Sequence, residues 1–480
     1  MTPDGELVLG VDLATAAVRV LAVDAVTGQV AAGADVLLPA PVSPRPGELE
    51  QPPAHAAAVR SVIRRVTREL GPRAAAVRAL SVTATSGSVV AADAAGMPTG
   101  AVLLYADQRG AALAARVSAA TGRQVSAAGT LARLAWLAEQ QPRADLRLLH
   151  VPDLVVADLT GRLVSDTSHA LKAGVAPTTA RWPVELLAAA GVPSTALPPL
   201  VHPGTVVGTL RPDAAAELAL PVQTQVVAGM TDGCTAQIAA GAVAAGQTTG
   251  VLGTTLVLKG VAATEVTGFG GAVYSHLGPD GLWWPGGASN CGAGILSADG
   301  GVPDLGAADA AAAERGPSPL VAYPLPGTGE RFPFARPDAT RLLLGAAEVS
   351  PLDRHRAWLD GVAYVERLGL ERLAALGVAS TDHRVVGGGT RSAVWTTIRA
   401  SVLGRPVSRP AQPSSAFGAA LLAAAAWTGT TLAATTGRAV RPAEVVDPDP
   451  AQLDALEEGY QRLLAELRRR GWLDGDPAAR

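Results

Sequence analysis

The sequence predicts an α/β protein of two domains, and three observations carry that prediction. At 480 residues the chain exceeds what one hydrophobic core ordinarily organises. Strand-like runs alternate with helical patterns along most of it, the signature of an α/β architecture. A theme at the start, two short apolar strands about a tight polar turn, returns near the middle at Val251 to Val261. That return marks the start of a second domain, so the expected division is 1–245 and 246–480.

Taken in order, Leu7 to Val11 and Val18 to Val23 are apolar, β-branched runs about a short turn, and Thr27-Gly28 breaks into a further strand. Ala54 to Leu70 has helical spacing, with Val59, Val62, Ile63 and Val66 on one face and arginines on the other. Val77 to Thr83 and Val89 to Ala92 read as strands, Ala111 to Thr121 and Leu131 to Gln140 as helices. Gly300 to Gly329 is rich in Gly, Pro and Ala and reads as loop with a short helix. Asp353 to Leu376 is the longest helical pattern, and Glu366 falls on its apolar stripe, facing either a cleft or a structural arginine. Val385 to Gly389 is a strand ending in three glycines. Ala416 to Ala426 is an alanine-rich helix fit for close packing, and Leu453 to Arg470 an amphipathic one.

Composition narrows the function. With 48% hydrophobic and 17% charged residues the chain should bury a core readily. A net charge of -3, without a basic stripe, gives no reason to expect nucleic acid or a membrane surface, which leaves a small molecule as partner. The start carries acidic residues and no apolar signal core, and no uninterrupted apolar stretch spans a bilayer, so a cytoplasmic protein is expected. Cys234 and Cys291 are too few for a disulfide framework or a zinc site. Only two lysines occur, Lys172 and Lys259.

Four segments could carry chemistry. Asp12-Leu13-Ala14-Thr15 places a carboxylate and a hydroxyl in a tight turn after a strand, suited to phosphate oxygens and a hydrated Mg²⁺, or simply to a hairpin. Gly253-Thr254-Thr255 repeats that arrangement at the head of the second domain. In Gly229-Met230-Thr231-Asp232, a carboxylate follows a strand and precedes a helix. Asp232 could take the proton of a hydroxyl attacking a phosphate, or could equally cap the helix. Gly387-Gly388-Gly389-Thr390-Arg391-Ser392 lets backbone approach a flat adenine or ribose, without the spacing of a dinucleotide fingerprint or a P-loop.

In this order the four segments resemble the FGGY family of carbohydrate kinases. Gly47-Glu48-Leu49-Glu50-Gln51, Tyr105-Ala106-Asp107-Gln108-Arg109, Asp158-Leu-Thr-Gly161, Gly329-Glu330-Arg331-Phe332-Pro333 and Leu403-Gly404-Arg405-Pro406-Val407 extend the resemblance over nearly the whole chain. It implies two actin-like ATPase (ribonuclease H-like) domains with an interdomain cleft, the first binding sugar and the second nucleotide. It implies ATP and Mg²⁺, acting in a monomer or homodimer. Asp232 matches the family's catalytic base, and Asp12, with Asp232, the carboxylates near sugar and metal. Ser86, Asp107 and Lys172 fall where the sugar is contacted. Thr15, Gly253, Thr254 and Thr255 match phosphate contacts, and Gly388, Gly389 and Ser392 the adenosine site.

Thr85-Ser86-Gly87-Ser88, Ala170-Leu171-Lys172 and Gly286-Gly287-Ala288-Ser289-Asn290 look most like the D-ribulose kinase and xylulose-kinase-like branch. Typical D-xylulose kinases carry Met-His at about Ser86-Gly87, so D-ribulose is the expected substrate. D-xylulose, another polyol or ketose, and a sugar-binding sensor are the alternatives. The sensor is motivated by departures from the pattern: Ala14 stands for the usual glycine and Ala16 for a hydroxyl residue. Ala106 also replaces a common Asn, and Ser415 lies near a usual acidic position.

Overall fold

The computed structural model describes residues 5–345 and 348–473. It divides into two compact units: the chain up to Ala239 together with Ser414–Ala439, and Ala240–Pro413 together with the chain from Val440. The first exchange lies a few residues before the expected 245/246 division. The second was not anticipated. The alanine-rich helix, expected within a continuous 246–480 domain, belongs to the first unit.

The first unit is built on a six-stranded sheet in the order Val206–Thr209, Gln225–Val227, Val77–Ala84, Leu7–Leu13, Ala17–Asp24, Val30–Leu37. Leu7–Leu13 pairs antiparallel with Ala17–Asp24 and parallel with Val77–Ala84, so two hairpin strands precede the parallel ones. Every residue of Leu7–Leu13 is buried, as expected of a central strand covered on both faces. Helix His55–Leu70 lays Val59, Val62, Ile63 and Val66 into this core. A smaller sheet of Glu50–Gln51, Val102–Leu103, Val89–Ala92 and Arg147–His150 lies in the same unit.

Helix Ser415–Thr428 joins this unit because small residues let backbones meet. A Cβ at Gly10 would stand 1.8 Å from Ala416 O and 2.4 Å from Ala420 N, and one at Gly418 would stand 1.8 Å from Thr235 O. The helix is buried from Ala416 to Ala425. It packs on Leu7–Leu13, on Val77–Ala84 and on helix Asp232–Ala239.

The second unit repeats the plan in seven strands: Tyr274–Leu277, Trp283–Ser289, Leu256–Lys259, Gln247–Leu252, Asp382–Val386, Val407–Pro410, Pro442–Val446. Gln247–Leu252 pairs antiparallel with Leu256–Lys259 and parallel with Asp382–Val386, the same sequence of pairings as in the first unit. Helix Pro351–Ala375 crosses its core. On that helix Glu366 is fully buried, bonded by Arg399 Nε and Nη2 at 2.6 Å each and by the His383 ring at 3.0 Å. Burial alone would raise the Glu366 pKa, but the Arg399 charge outweighs it and brings the group down to about 2. Glu366 is therefore a structural ion pair. No helix among the described residues is long and apolar enough to cross a membrane.

Two stability outcomes follow. Gly418→Ala gains helix propensity of about 1 kcal/mol, yet the added carbon overlaps a carbonyl oxygen that belongs to the neighbouring helix. A net loss of about 1–3 kcal/mol is expected in urea melts, as for overpacked cores. Glu366→Gln leaves the Arg399 charge buried without its counter-charge, and the same melts should show a loss of about 3–5 kcal/mol.

Candidate active site

In the first unit, Gln225–Val227 ends in a backbone segment pressed onto Val77–Ala84. A Cβ at Gly229 would lie 1.9 Å from Val82 O, Thr83 Oγ1 donates to Met230 O at 2.7 Å, and Ala84 bridges to Thr231. Helix Asp232–Ala239 begins here. Thr231 O accepts from Cys234 N and Thr235 N, so Thr231 supplies the first acceptor of the helix. The Asp232 carboxylate accepts from the next N–H, Gly233 at 2.7 Å, and from the Thr85 hydroxyl, which differs from a capping bond to the second or third helical amide. The half-buried Asp232 is thus fixed at its backbone while its carboxylate keeps acceptor capacity.

Asp12 lies near the end of Leu7–Leu13, opposite Arg19 on the next strand. It is 8% exposed, and its Oδ1 is buried without a hydrogen-bond partner among the described residues. Burial pushes the Asp12 carboxyl up to about 7; the Asp232 charge adds to the rise and Arg19 opposes it. Asp232 is likewise raised by burial. The Gly233 N–H, the charges of Lys172 and His169, and the Thr85 hydroxyl all act in the opposite direction. Asp12, Asp232 and Lys172 therefore form one electrostatic cluster. Thr15 stands in the turn closed by Ala14 N to Ala17 O at 3.0 Å, and its own carbonyl accepts from Gln51 Nε2 at 2.9 Å. Ala16 is exposed at the tip of that turn.

The other residues expected at the sugar divide. Ser86 Oγ is buried and unpartnered among the described residues, and Lys172 is exposed. Asp107 is different. It is 0% exposed, and its carboxylate accepts from Leu49 N at 2.6 Å, Arg109 N at 3.0 Å and Arg109 Nε at 2.9 Å. Its carboxylate braces the 47–51 and 105–109 segments, which differs from the open sugar contact expected of it.

In the second unit the two glycine-bearing turns meet at the carboxyl ends of adjacent parallel strands, where Val251 pairs with Val386. That is where ligands bind in sheets of this kind. Gly253 and Gly388 present bare backbone: a Cβ would meet only Thr255 O at 3.9 Å and only Arg391 Nη2 at 3.6 Å. Thr254 is exposed and Thr255 half-buried. Ala293 N and Gly294 N donate to Gly253 O and Thr254 O, which holds the turn from behind. Gly389 is buried, its missing side chain replaced by Leu252, whose Cδ2 would lie 2.4 Å from a Cβ. Ser392 caps helix Ala393–Leu403 by accepting from Trp395 N at 3.0 Å and also bonds Asp309. These contacts give Gly389 and Ser392 structural work, while Gly388 stays open.

Sequence reading missed His169 and Asp166 beside Asp232. His169 is fully buried, with Nδ1 2.7 Å from Asp166 Oδ2 and Nε2 3.3 Å from Ala84 O. Both ring nitrogens face oxygen acceptors, which suits an imidazolium. Burial opposes that charge, but Asp166 overcomes it and the His169 pKa is raised. The available signal was Asp166-Thr-Ser-His169, two titratable residues three apart just before one of the two lysines.

The donor set around Asp12 suits Mg²⁺. That ion keeps several waters and takes one or two carboxylates, so a buried, unpartnered Asp12 Oδ1 with a second carboxylate coupled to it is adequate. No cluster of three or more His, Cys, Asp or Glu forms an all-protein cage among the described residues.

Comparison with known proteins gives one consistent answer. Residues 7–239 match the N-terminal domain, and residues 243–427 the C-terminal domain, of the FGGY family of carbohydrate kinases. A xylulose kinase from Streptomyces coelicolor is 30% identical over 94% of this chain and 95% of its own length; one from Streptomyces rubiginosus is 30% identical over 98% of each. The crystal structure of a xylulose kinase from Rhodospirillum rubrum superposes with a TM-score of 0.84 at 28% identity, covering 97% of this chain and 99% of that one.

The Asp12 environment predicts a pH dependence. Its carboxyl holds a proton in the fold up to about pH 7 but releases it near 4 when unfolded, so its contribution is complete at low pH and is lost as pH rises through 7. Asp12→Asn removes that loss. Without magnesium or nucleotide, the variant should outlast the parent at pH 8 by a few kcal/mol, on the order set by the shift, and match it near pH 4. Thermal melts at the two pH values measure this.

Proposed function

Since the chain belongs to the FGGY family of carbohydrate kinases, we propose that it transfers the γ-phosphate of ATP to a hydroxyl of a ketopentose, with Asp232 as base. The observation that carries the residue assignment is Asp232 itself: backbone-anchored, half-buried, coupled to Asp12, and faced by the charges of Lys172 and His169. Such a carboxylate is raised toward working pH by burial yet kept ionisable by neighbouring cations, the balance a general base needs.

In this reading the first unit holds the sugar and the second the nucleotide. Asp232 accepts the proton of the primary C5 hydroxyl as its oxygen bonds to the γ-phosphorus, and the bond to the ADP oxygen breaks. The Gly233 N–H, Lys172, His169 and the Thr85 hydroxyl favour the charged form of Asp232 against its burial until then. Ser86 contributes a hydroxyl to the sugar. Asp12 and Asp232 would hold Mg²⁺, which when bound neutralises phosphate charge. In the second unit the bare backbone of Gly253 and Gly388 and the hydroxyls of Thr254 and Thr255 are offered to the nucleotide, and in the first the hydroxyl of Thr15 is offered to phosphate, the small turns substituting for a P-loop. Ala14 and Ala16 remove a glycine and a hydroxyl from the first of these turns, and lower turnover is assigned to that turn first.

Two pentuloses compete. The xylulose kinases among the relatives support D-xylulose. The small polar pair Ser86-Gly87, where typical D-xylulose kinases resemble one another in carrying Met-His, supports D-ribulose.

A coupled ADP-release assay across D-ribulose, D-xylulose, L-ribulose, L-xylulose, ribitol, glycerol and gluconate separates them. Activity confined to glycerol or gluconate would remove the ketopentose reading. Asp232→Asn should lower kcat by about 10²–10⁴ with little change in sugar KM, and near-normal turnover by that variant rules out its role as base.

A further inference from the structure

Arg133 stands in the first turn of helix Thr130–Gln140 and is 1% exposed. Its guanidinium donates five hydrogen bonds, all to main-chain carbonyls. Nη2 and Nε reach Gly87 O at 2.7 and 3.2 Å; Nη1 reaches Ala128 O at 2.8 Å, Tyr105 O at 2.9 Å and Asp107 O at 3.1 Å. These carbonyls come from three separate stretches of chain. Two of them are the stretches that the family resemblance brings to the sugar, around Ser86 and around Asp107, although the Asp107 carboxylate itself is taken by Leu49 and Arg109.

The chemistry makes this a clamp. Guanidinium N–H groups are fixed in one plane, so carbonyls bonded to them are fixed relative to one another. The charge is buried, and any carbonyl that leaves exposes the rest to the cost of an unsolvated cation. Gly87 is fitted to the arrangement: its φ is +97°, and a Cβ would lie 3.1 Å from Arg133 Nη2 and 3.2 Å from Thr130 Oγ1. The far side of the second stretch is held by Asp107, which binds Leu49 N and Arg109. Ser86 Oγ, Ser88 Oγ and Thr130 Oγ1, all close in sequence to the clamp, are buried and unpartnered among the described residues. Hydroxyls with unused hydrogen-bonding capacity suit a polyhydroxylated ligand.

The geometry points to Arg133 as a positioning residue for the sugar pocket. It sets the spacing between the 86–88 and 105–107 stretches without touching substrate. This rests on the reading of those stretches as sugar-contacting, given above.

The test uses Arg133→Met and Gly87→Ala in the full chain, with hydrogen exchange at 86–88 and 105–108 and steady-state kinetics on D-xylulose and D-ribulose. In Arg133→Met, exchange should quicken in both stretches together. KM for the pentulose turned over should rise about tenfold or more, the scale of a small misplacement, while KM for ATP stays within about twofold. Gly87→Ala keeps the cation and crowds it, so its effect should reach 105–108 as well; it carries the test if Arg133→Met does not fold. An effect confined to 86–88 overturns the clamp. Quickened exchange with unchanged pentulose KM, or ATP KM rising in step, overturns its service to the sugar. If the parent turns over neither of these two pentuloses, both D-pentulose assignments fail and exchange alone decides for or against the clamp.

Discussion

The contact on which the first unit depends is backbone against backbone. Helix Ser415–Thr428 meets strand Leu7–Leu13 at Gly10 and helix Asp232–Ala239 at Gly418, in both places closer than any side chain would allow. Asp12 lies two residues beyond Gly10, and Asp232 opens the helix that Gly418 touches. One helix therefore fixes the two carriers of the carboxylates. Backbone contacts of this kind have no rotamers to relax through, so the spacing of Asp12 and Asp232 is set by main chain.

That spacing has an electrostatic cost, which the surroundings offset unevenly. Asp232 has Gly233, Lys172, His169 and Thr85 working to keep it charged. Asp12 has Arg19 alone and an oxygen without a partner among the described residues. Burial raises both groups, but Asp232 is opposed by more neighbours than Asp12 is. Separation of paired carboxylates by environment is how neighbouring acids take different tasks.

Much of the fold was legible because it is written locally. Helices at 55–70, 351–375 and 453–469 and the hairpin strands at the start follow from periodicity, and the repeated strand–turn–strand theme announced the second sheet. Asp232 was legible as a polar residue between a strand and a helix, although setting aside the capping role needed its actual hydrogen bond. What stayed hidden depends on distant partners. Asp107 reads as an available carboxylate until Leu49 and Arg109 are seen to occupy it. Gly389 reads as a ligand-facing glycine until Leu252 fills its place. Arg133 looks like one arginine among many on a helix, since its carbonyl acceptors leave no trace in side-chain identity. The return of Ser414–Ala439 to the first unit is likewise invisible, because an alanine-rich helix fits against any smooth backbone.

That return has a consequence for biosynthesis. As the chain leaves the ribosome from its N-terminus, the first sheet is made early, but the helix that covers Gly10 is made only after all but the last strand of the second sheet. Domains whose residues are contiguous can fold as they emerge. Here the groove beside Leu7–Leu13 must wait, apolar and uncovered, through some 170 residues of further synthesis, the length of the Ala240–Pro413 insertion. The nascent protein is then most exposed to aggregation and chaperone capture on the face that will hold its carboxylates, and a fragment ending at the first domain boundary would keep that exposed face permanently.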